Sequence, residues 1–335
     1  MSKSALITGI TGQDGSYLCE FLLAKGYKVS GLVRRLSSPN YDRIHHLLPD
    51  ISIIQGDLLD QSSLSLAVER AQPDEVYNLA AMSHVGLSFE QPAAAGEYNG
   101  LGAVRLLEAI RHTGQPGIRF YQASTSELFG NARISPQNEA TPFYPRSPYG
   151  SAKLYAHSSV INYRESYGMF ACAGILFNHE SPRRGLDFVT RKISHAVARI
   201  RHGLQRGLDV GNIYAARDWG FAGDYVEAMW LMLQQEKPKD YVIATGQAHT
   251  VGEFAALACQ AAGLPGSWHD YVNIDPALYR PSDVHCLVGD ASRARLDLGW
   301  TPTIQFEDLV YMMVESELKL VSSHHQRSLE HEFSH

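Results

Sequence analysis

Two residues four positions apart, Tyr149 and Lys153, suggest acid–base chemistry in this 335-residue chain. They lie in Ser-Pro-Tyr-Gly-Ser-Ala-Lys, where Ser147 is a favoured helix N-cap and Pro148 a favoured first helical residue. The pattern therefore predicts a helix with both side chains on one face. Because an ammonium favours a nearby phenolate, Lys153 is expected to lower the pKa of Tyr149 and make it a general base.

A second candidate group lies in the stretch 123–130, Ala-Ser-Thr-Ser-Glu-Leu-Phe-Gly, which ends a strand-like run. In doubly wound sheets the carboxyl ends of the strands face the ligand. Thr125 can hydrogen-bond a substrate hydroxyl there. Glu127 can remove a proton next to a newly formed ketone. A simple alcohol dehydrogenase does not need a carboxylate at this position. The alternative for Glu127 is a loop or helix-capping acid.

Three glycines near the start predict a dinucleotide site. Gly9, Gly12 and Gly15 follow the first strand-like run at GxxGxxG spacing and precede a helical pattern. Glycines at this spacing permit a tight turn, close approach of the backbone to a pyrophosphate and close helix packing. The N-terminus of the following helix supplies N–H donors for the anion.

The end of the second strand-like run indicates which dinucleotide binds. A carboxylate for the ribose 2′-hydroxyl is usual there in NAD sites, but this chain has Arg34 and Arg35 followed by Leu-Ser-Ser. Guanidinium groups suit a 2′-phosphate, so the sequence favours NADP. Asp57, after the third run, suits the adenine amino group. The alternative for the arginines is a solvated basic loop.

The elements that must position these groups alternate between strand-like and helical patterns over the first 180 residues. Strand-like runs include 75–81 and 118–123, and a later one is 241–245. The alternation predicts an α/β fold, a Rossmann-type doubly wound parallel sheet with a smaller, interleaved C-terminal substrate domain. The predicted division is 1–180 for the dinucleotide domain with returning segments at about 214–248, then 181–325 for mainly substrate binding. A disordered tail is predicted for 326–335.

Composition excludes several classes of protein. Lys and Arg total 29 against 35 Asp and Glu, a net charge of −6, so nucleic acid is not expected as a partner. No apolar run is long enough to span a membrane, and no signal peptide is visible. Four scattered cysteines predict neither a metal site nor a disulfide framework. A cytoplasmic enzyme is expected.

These motifs together resemble the extended short-chain dehydrogenase/reductases, and among them the GDP-mannose 4,6-dehydratase family. The resemblance runs from residue 5 to about 320 and includes 174–185 (GILFNHESPRRG) and 217–230 (RDWGFAGDYVEAMW). It implies Thr125, Glu127, Tyr149 and Lys153 as the catalytic set. Besides Tyr149 and Lys153, it implies that NADP contacts Gly9, Thr11, Gly12, Gln13, Asp14, Gly15, Arg34, Arg35, Ser37, Asp57, Leu58, Leu79, Ala81, Ser83, His179 and Arg184. It further implies a sugar nucleotide on Ser83, Thr125, Ser126, Glu127, Asn178, Val189, Lys192, Gly211, Arg217, Arg280 and Asp283.

The resemblance implies a redox-neutral dehydration of GDP-mannose to GDP-4-keto-6-deoxy-mannose with tightly bound NADP. Tyr149 would take the proton of the C4 hydroxyl as hydride leaves C4. Glu127 would then take the C5 proton as water leaves from C6. Finally, hydride would return to C6. The stretch 178–206 carries seven Arg or Lys against two acids, which indicates a diphosphate-binding patch. A homo-oligomer, dimer or tetramer, is also implied.

Some positions leave alternatives open. Met82 and Ala94 replace a Gln and a Tyr that the family usually has beside the cofactor, and Asp283 and His285 replace a Glu and an Asp. A 4-epimerase or 4-keto reductase shares the glycine turn and the Tyr–Lys pair but does not need Glu127. A dehydratase of a related GDP-hexose or GDP-heptose fits the motifs, and a non-catalytic NADP-sensing protein is the most distant alternative.

Overall fold

The computed structural model describes residues 2–279, 281–282 and 284–332. Its strands are β1 (Ser4–Thr8), β2 (Lys28–Val33), β3 (Ile51–Gln55), β4 (Glu75–Asn78), β5 (Arg119–Thr125), β6 (Phe170–Leu176), β7 (Asn178–Glu180), β8 (Leu208–Val210), β9 (Ala216–Arg217), β10 (Trp219–Phe221), β11 (Tyr241–Ile243), β12 (His249–Thr250), β13 (Val272–Ile274) and β14 (Cys286–Leu287).

The α-helices of the described residues are α1 (Gln13–Ala24), α2 (Gln61–Ala71), α3 (Val85–Glu90), α4 (Pro92–Ala95), α5 (Gly102–His112), α6 (Pro148–Tyr167), α7 (Val189–Arg201), α8 (Ala222–Gln234), α9 (Val251–Ala261), α10 (Ser292–Leu298) and α11 (Phe306–Glu332). A π-helical turn, Gly96–Leu101, joins α4 to α5. Short 3₁₀ turns lie at His45–Asp50, Ser126–Leu128, Trp268–Asp270 and Pro276–Leu278. No helix in these ranges is long and apolar enough to cross a membrane.

Seven parallel strands form the main sheet in the order β11-β6-β5-β4-β1-β2-β3. The strand order reverses between β1 and β4, the place where doubly wound sheets open a ligand crevice. The predicted doubly wound sheet is confirmed. Small two- and three-stranded sheets pair β7 with β10, β8 with β13, and β9 with both β12 and β14.

Helices cover both faces of the main sheet, and buried side chains alternate between the two faces along the strands. Val76 and Phe120 belong to one buried cluster with α2 and α5, while Tyr77 and Tyr121 belong to another with α1 and α8. Because successive strand residues point to opposite faces, helices must cover both sides. A third buried cluster joins α7, α9 and α11 around Trp219 and forms the core of the C-terminal part.

Two strands end earlier than the sequence predicts, and a side chain explains each end. The run 75–81 leaves the sheet after Asn78, because the Thr8 hydroxyl accepts the N–H groups of Leu79 and Ala80, each at 3.1 Å. The run 241–245 ends at Ile243, because Asp218 accepts the N–H of Thr245 at 2.9 Å. The run 118–123 instead continues as β5 to Thr125.

Segments of the C-terminal part return to the main sheet: β11 pairs with β6, α8 packs on the sheet, and residues after 280 join the same core. Val284, Leu287 and Trp300 are buried in the same cluster as α1 and α8. Helix α11 runs on to Glu332, and residues 333–335 of the predicted tail 326–335 lie outside the described residues. No Gly or Pro interrupts the sequence from 306 to 332, so nothing in it stops the helix.

Candidate functional site

Two adjoining cavities open at the carboxyl ends of β1, β4 and β5. The first has a volume of about 420 Å³ and the second about 680 Å³. They share the lining residues Asp14, Leu79, Ala81, Ser83 and Arg184, so together they form one long cleft. A cleft of this length suits a dinucleotide that meets a second ligand end to end.

The first cavity collects Thr125, Glu127, Tyr149 and Lys153, the four residues expected to carry the chemistry. Thr125 ends β5, and Glu127 lies in the 3₁₀ turn that follows it. Helix α6 begins as predicted, since the Ser147 hydroxyl accepts the Gly150 N–H at 3.0 Å. A Cβ on Gly150 would lie 2.9 Å from the Glu127 carbonyl oxygen, so this glycine lets α6 start directly against Glu127.

Burial dominates the electrostatics of the Tyr149–Lys153 pair. It raises the pKa of Tyr149 to about 12 and lowers the pKa of Lys153 to about 8. The Lys153 ammonium donates to the Ala123 carbonyl at 2.9 Å and lies 5.9 Å from the centre of the Tyr149 ring. In the protein alone the pKa of Tyr149 is therefore raised, whereas the sequence predicts a lowered one, because desolvation outweighs the groups that favour the phenolate.

Thr125 links the two candidate bases. Its hydroxyl favours the Tyr149 phenolate, and its Oγ1 accepts the Glu127 N–H at 3.2 Å. The Glu127 charge opposes ionisation of Tyr149, so the carboxylate and the phenol lie within electrostatic reach of each other. Glu127 is buried at the cavity wall. The arrangement places two proton acceptors at one site.

The glycine turn at the start of α1 forms a cradle in the second cavity. Gly9 has a φ of +71°, and a Cβ there would lie 2.8 Å from the Ala80 nitrogen. A Cβ on Gly15 would lie 2.3 Å from the Gly9 carbonyl oxygen. Among the described residues no side chain caps α1, so the N–H groups of its first turn are available to an anion. These features fit a dinucleotide pyrophosphate.

Asp14 and His179 form a partly buried ion pair at the cleft. The His179 Nε2 lies 2.7 Å from Asp14 Oδ2, and its Nδ1 donates to the Phe177 carbonyl at 2.8 Å. Burial opposes both charges, but the pair overcomes it: the pKa of Asp14 falls to about 2 and that of His179 is raised. Gln13 ties this pair to the chain, donating to Asp14 Oδ1 at 2.9 Å and to the His179 carbonyl at 3.0 Å.

The remaining predicted cofactor residues divide into two groups. The first group lines the second cavity and consists of Thr11, Arg34, Asp57 and Leu58. Arg35 and Ser37 lie on the exposed loop after β2 and do not line it. Adjacent residues at the end of a strand point in opposite directions, so only one of the two arginines faces the cavity.

The predicted substrate residues that the structure describes all line the first cavity. They are Ser83, Thr125, Ser126, Glu127, Asn178, Val189, Lys192, Gly211 and Arg217. Arg280 and Asp283 lie outside the described residues. A Cβ on Gly211 would lie 2.9 Å from the Leu278 carbonyl oxygen, so this glycine allows the 3₁₀ turn Pro276–Leu278 to close one side of the cavity.

The cations of the basic stretch 178–206, for which the charge count indicated a diphosphate-binding patch, have different surroundings in the structure. Only Arg184 and Lys192 of its seven cations line the cleft. Arg183 pairs with Glu20 at 2.7 Å, and Arg191 pairs with Glu317 on α11. These ion pairs hold the C-terminal part together and against α1, and so neutralise charge that the sequence count assigned to a ligand.

Several residues at the cleft carry no recognisable signal in the sequence. The buried Ser88 hydroxyl accepts the Tyr149 N–H at 3.2 Å and donates to the Val85 carbonyl at 2.6 Å, so α3 positions the start of α6. Ser88 and Tyr149 are 61 positions apart. Glu180 forms an ion pair with Arg184, with 3.1 Å between Glu180 Oε2 and Arg184 Nε. Tyr98 lines the second cavity together with Met82 and Ala94, two positions that depart from the family.

Comparison with known proteins gives a consistent result. Residues 6–313 match the family described as GDP-mannose 4,6 dehydratase. The chain is 56% identical over 329 residues to GDP-mannose 4,6 dehydratase 2 of Arabidopsis thaliana, covering 95% of this chain and 87% of that protein. It is 48% identical over 341 residues to the human GDP-mannose 4,6 dehydratase, with 95% and 92% covered. The fold is similar to that of the Thermus thermophilus UDP-glucose 4-epimerase in complex with NAD (TM-score 0.83, 26% identity, 93% and 98% covered).

Proposed function

This chain belongs to the GDP-mannose 4,6-dehydratase family, and from that premise we propose how its own residues carry out the reaction. It is an enzyme that removes water from GDP-mannose and gives GDP-4-keto-6-deoxy-mannose. The observation that carries the proposed residue roles is the presence of Glu127, Tyr149 and Thr125 in the lining of one cavity, with the Thr125 hydroxyl hydrogen-bonded to the Glu127 N–H.

Tyr149 is the base for the C4 hydroxyl. Its pKa of about 12 in the protein alone means that ionisation needs support at the moment of proton transfer. Thr125 and the positive charge of Arg184 both favour the phenolate. Lys153, held by the Ala123 carbonyl, is placed to orient the ribose next to the reacting ring. A bound nicotinamide supplies the hydride acceptor and donor that a redox-neutral dehydration requires.

Glu127 is the base for C5. Oxidation at C4 acidifies the C5 proton, which Glu127 removes as the C6 hydroxyl leaves as water. The Glu127 side chain is buried and lines the cavity wall. Its backbone position is set at both ends, by the Thr125 hydroxyl and by the close approach of Gly150.

Replacement of Glu127 by Gln tests this role. Glu127→Gln keeps the size of the side chain but cannot accept the proton. On mixing with GDP-mannose and oxidised dinucleotide, the variant should accumulate reduced dinucleotide, measured by its absorbance, but should neither release water nor exchange solvent deuterium into C5. Turnover should fall on the order of a hundredfold or more.

Two further variants serve as controls for that experiment. Tyr149→Phe should prevent even the first reduction, and the exposed Glu90→Gln should leave turnover unchanged. If Glu127→Gln dehydrates GDP-mannose at nearly the parental rate, Glu127 is a structural acid and the proposed role is wrong.

For the cofactor we propose NADP rather than NAD. The support is Arg34, which lines the second cavity where a carboxylate would serve a ribose 2′-hydroxyl. Since Arg35 does not line the cavity, it provides a matched control of equal charge. Arg34→Ala should weaken NADP⁺ binding by about 1–3 kcal/mol, and Arg35→Ala should change it little. Equal affinity of the unmodified protein for NADP⁺ and NAD⁺ would contradict this proposal.

We propose that the GDP portion binds Lys192 and Arg217, with Asn178, Val189 and Gly211 around it. The support for this assignment is that all five residues line the first cavity.

We further propose that the protein is a homo-oligomer, a dimer or tetramer. The exposed loop that carries Arg35 and Ser37 lies beside the cofactor cavity, where a neighbouring subunit could meet it. Light scattering after size-exclusion chromatography measures the mass, and a monomer would contradict the oligomer.

A further inference from the structure

The geometry points to Tyr98 as a positioning residue that sets the preference for a phosphorylated ribose, because it holds Arg34 at the wall of the second cavity. This inference rests on the proposed preference for NADP and names the part of the chain that enforces it. Neither the glycine turn nor the catalytic motifs include Tyr98.

The contact is direct. Arg34 Nη1 donates to the Tyr98 hydroxyl at 3.1 Å, and the guanidinium carbon lies 5.9 Å from the centre of the ring. Both residues line the second cavity. Arg34 follows β2 on an exposed loop, so its long side chain has many open conformations, and the Tyr98 contact selects one that faces the cavity.

The backbone that presents Tyr98 is itself fixed. Tyr98 lies in the π-helical turn Gly96–Leu101, a geometry that occurs often at functional sites. The next residue, Asn99, is buried, accepts the Met82 N–H at 2.8 Å and donates to the Met82 carbonyl at 3.0 Å. These paired bonds tie the turn to the segment after β4. Ala94, one helical turn earlier, lines the same wall with only a methyl group.

The effect of this arrangement is selective for one dinucleotide. A guanidinium has five N–H donors, and Tyr98 takes one of them, so the group keeps donors for a phosphate. Arginine that is already oriented loses less conformational freedom when it binds. NAD has a hydroxyl instead of a 2′-phosphate and gains little from an oriented guanidinium. Tyr98 therefore raises the affinity for NADP without raising that for NAD.

Equilibrium binding tests the inference without measuring turnover. The full-length protein, freed of dinucleotide, is titrated calorimetrically with NADP⁺ and with NAD⁺ as the unmodified chain, Tyr98→Phe, Arg34→Ala and the double variant. Tyr98→Phe keeps the ring and removes only the hydroxyl. The matched control is Tyr311→Phe, an exposed tyrosine on α11 outside the cleft.

We expect Tyr98→Phe to weaken NADP⁺ binding about tenfold and to leave NAD⁺ binding within about twofold, a result that also shows that the variant is folded. Because Tyr98 acts through Arg34, the double variant should bind NADP⁺ no more weakly than Arg34→Ala alone. Tyr311→Phe should match the unmodified chain for both dinucleotides.

Three outcomes would overturn the inference. If Tyr98→Phe weakens the binding of NADP⁺ and NAD⁺ equally, Tyr98 supports the cavity wall for either dinucleotide and does not set the preference. An affinity for NADP⁺ that is unchanged in Tyr98→Phe would remove its role while leaving the cofactor proposal intact. Equal affinity of the unmodified chain for both dinucleotides would remove the cofactor proposal and, with it, this one.

Discussion

Replacement of Asp14 by Asn should reveal how strongly the cleft depends on the Asp14–His179 ion pair. The two side chains meet at 2.7 Å, and His179 also donates from Nδ1 to the Phe177 carbonyl at 2.8 Å. Since that carbonyl needs Nδ1–H, a second donor at Nε2 makes the ring an imidazolium. Asp14→Asn keeps the shape and removes the charge that holds this proton.

The magnitude follows from the pKa of Asp14. Its fall from 3.8 to about 2 corresponds to about 2 kcal/mol of stability, in line with about 1.5–3 kcal/mol for a hydrogen bond between charged groups. For a chain of this length, 2 kcal/mol lowers the melting temperature by about 3 °C. The loss is greatest when both partners are charged in the unmodified protein.

The pH dependence has a definite sign. The lowered pKa of Asp14 adds stability above its unfolded value of 3.8, and this is lost as pH falls toward about 2. The raised pKa of His179 adds stability below its unfolded value of 6.5, and this is lost as pH rises through the higher folded value. The pair is therefore strongest between these two unfolded values, and the effect of Asp14→Asn should shrink at alkaline pH.

Differential scanning calorimetry across this range, without dinucleotide, measures the effect. The difference in melting temperature between the unmodified chain and Asp14→Asn should be largest near pH 5–6, between the two unfolded pKa values, and should decrease above the folded pKa of His179. Asp50→Asn, which removes the same charge from an exposed position, should show little change. A difference that is constant with pH, or that grows at alkaline pH, would refute the reasoning.

Three other changes are expected to have measurable effects. Gly15→Ala places a Cβ 2.3 Å from a backbone carbonyl and should destabilise the fold by about 1–3 kcal/mol in thermal unfolding, whereas Gly117→Ala, with no atom within 4 Å, should be tolerated. Ser88→Ala leaves the Tyr149 N–H without its acceptor, so kcat should fall about tenfold with little change in KM; an unchanged kcat would argue against positioning by α3. Because burial lowers the pKa of Lys153 to about 8, dinucleotide affinity in calorimetric titrations should decline above that pH, and a flat profile would contradict a role for its ammonium.

Features that depend on short-range geometry could be predicted from the order of the residues. The spacing of Tyr149 and Lys153 with the Ser147 cap predicts one helical face, and the glycines at 9, 12 and 15 predict the turn into α1. Alternating strand and helix patterns predict the doubly wound sheet. In each case neighbours in the chain are neighbours in space, so residue type and spacing carry the information.

Properties that depend on partners distant in the chain could not be predicted and became visible only in the folded protein. Spacing indicated a lowered pKa for Tyr149, but burial by the whole fold raises it to about 12. Charge counting indicated a phosphate surface, but Glu20 and Glu317 engage two of its arginines. The contacts of Ser88 with Tyr149 and of Tyr98 with Arg34 join positions 61 and 64 apart. Desolvation and long-range pairing exist only after the chain has closed on itself, which is why no local pattern contains them.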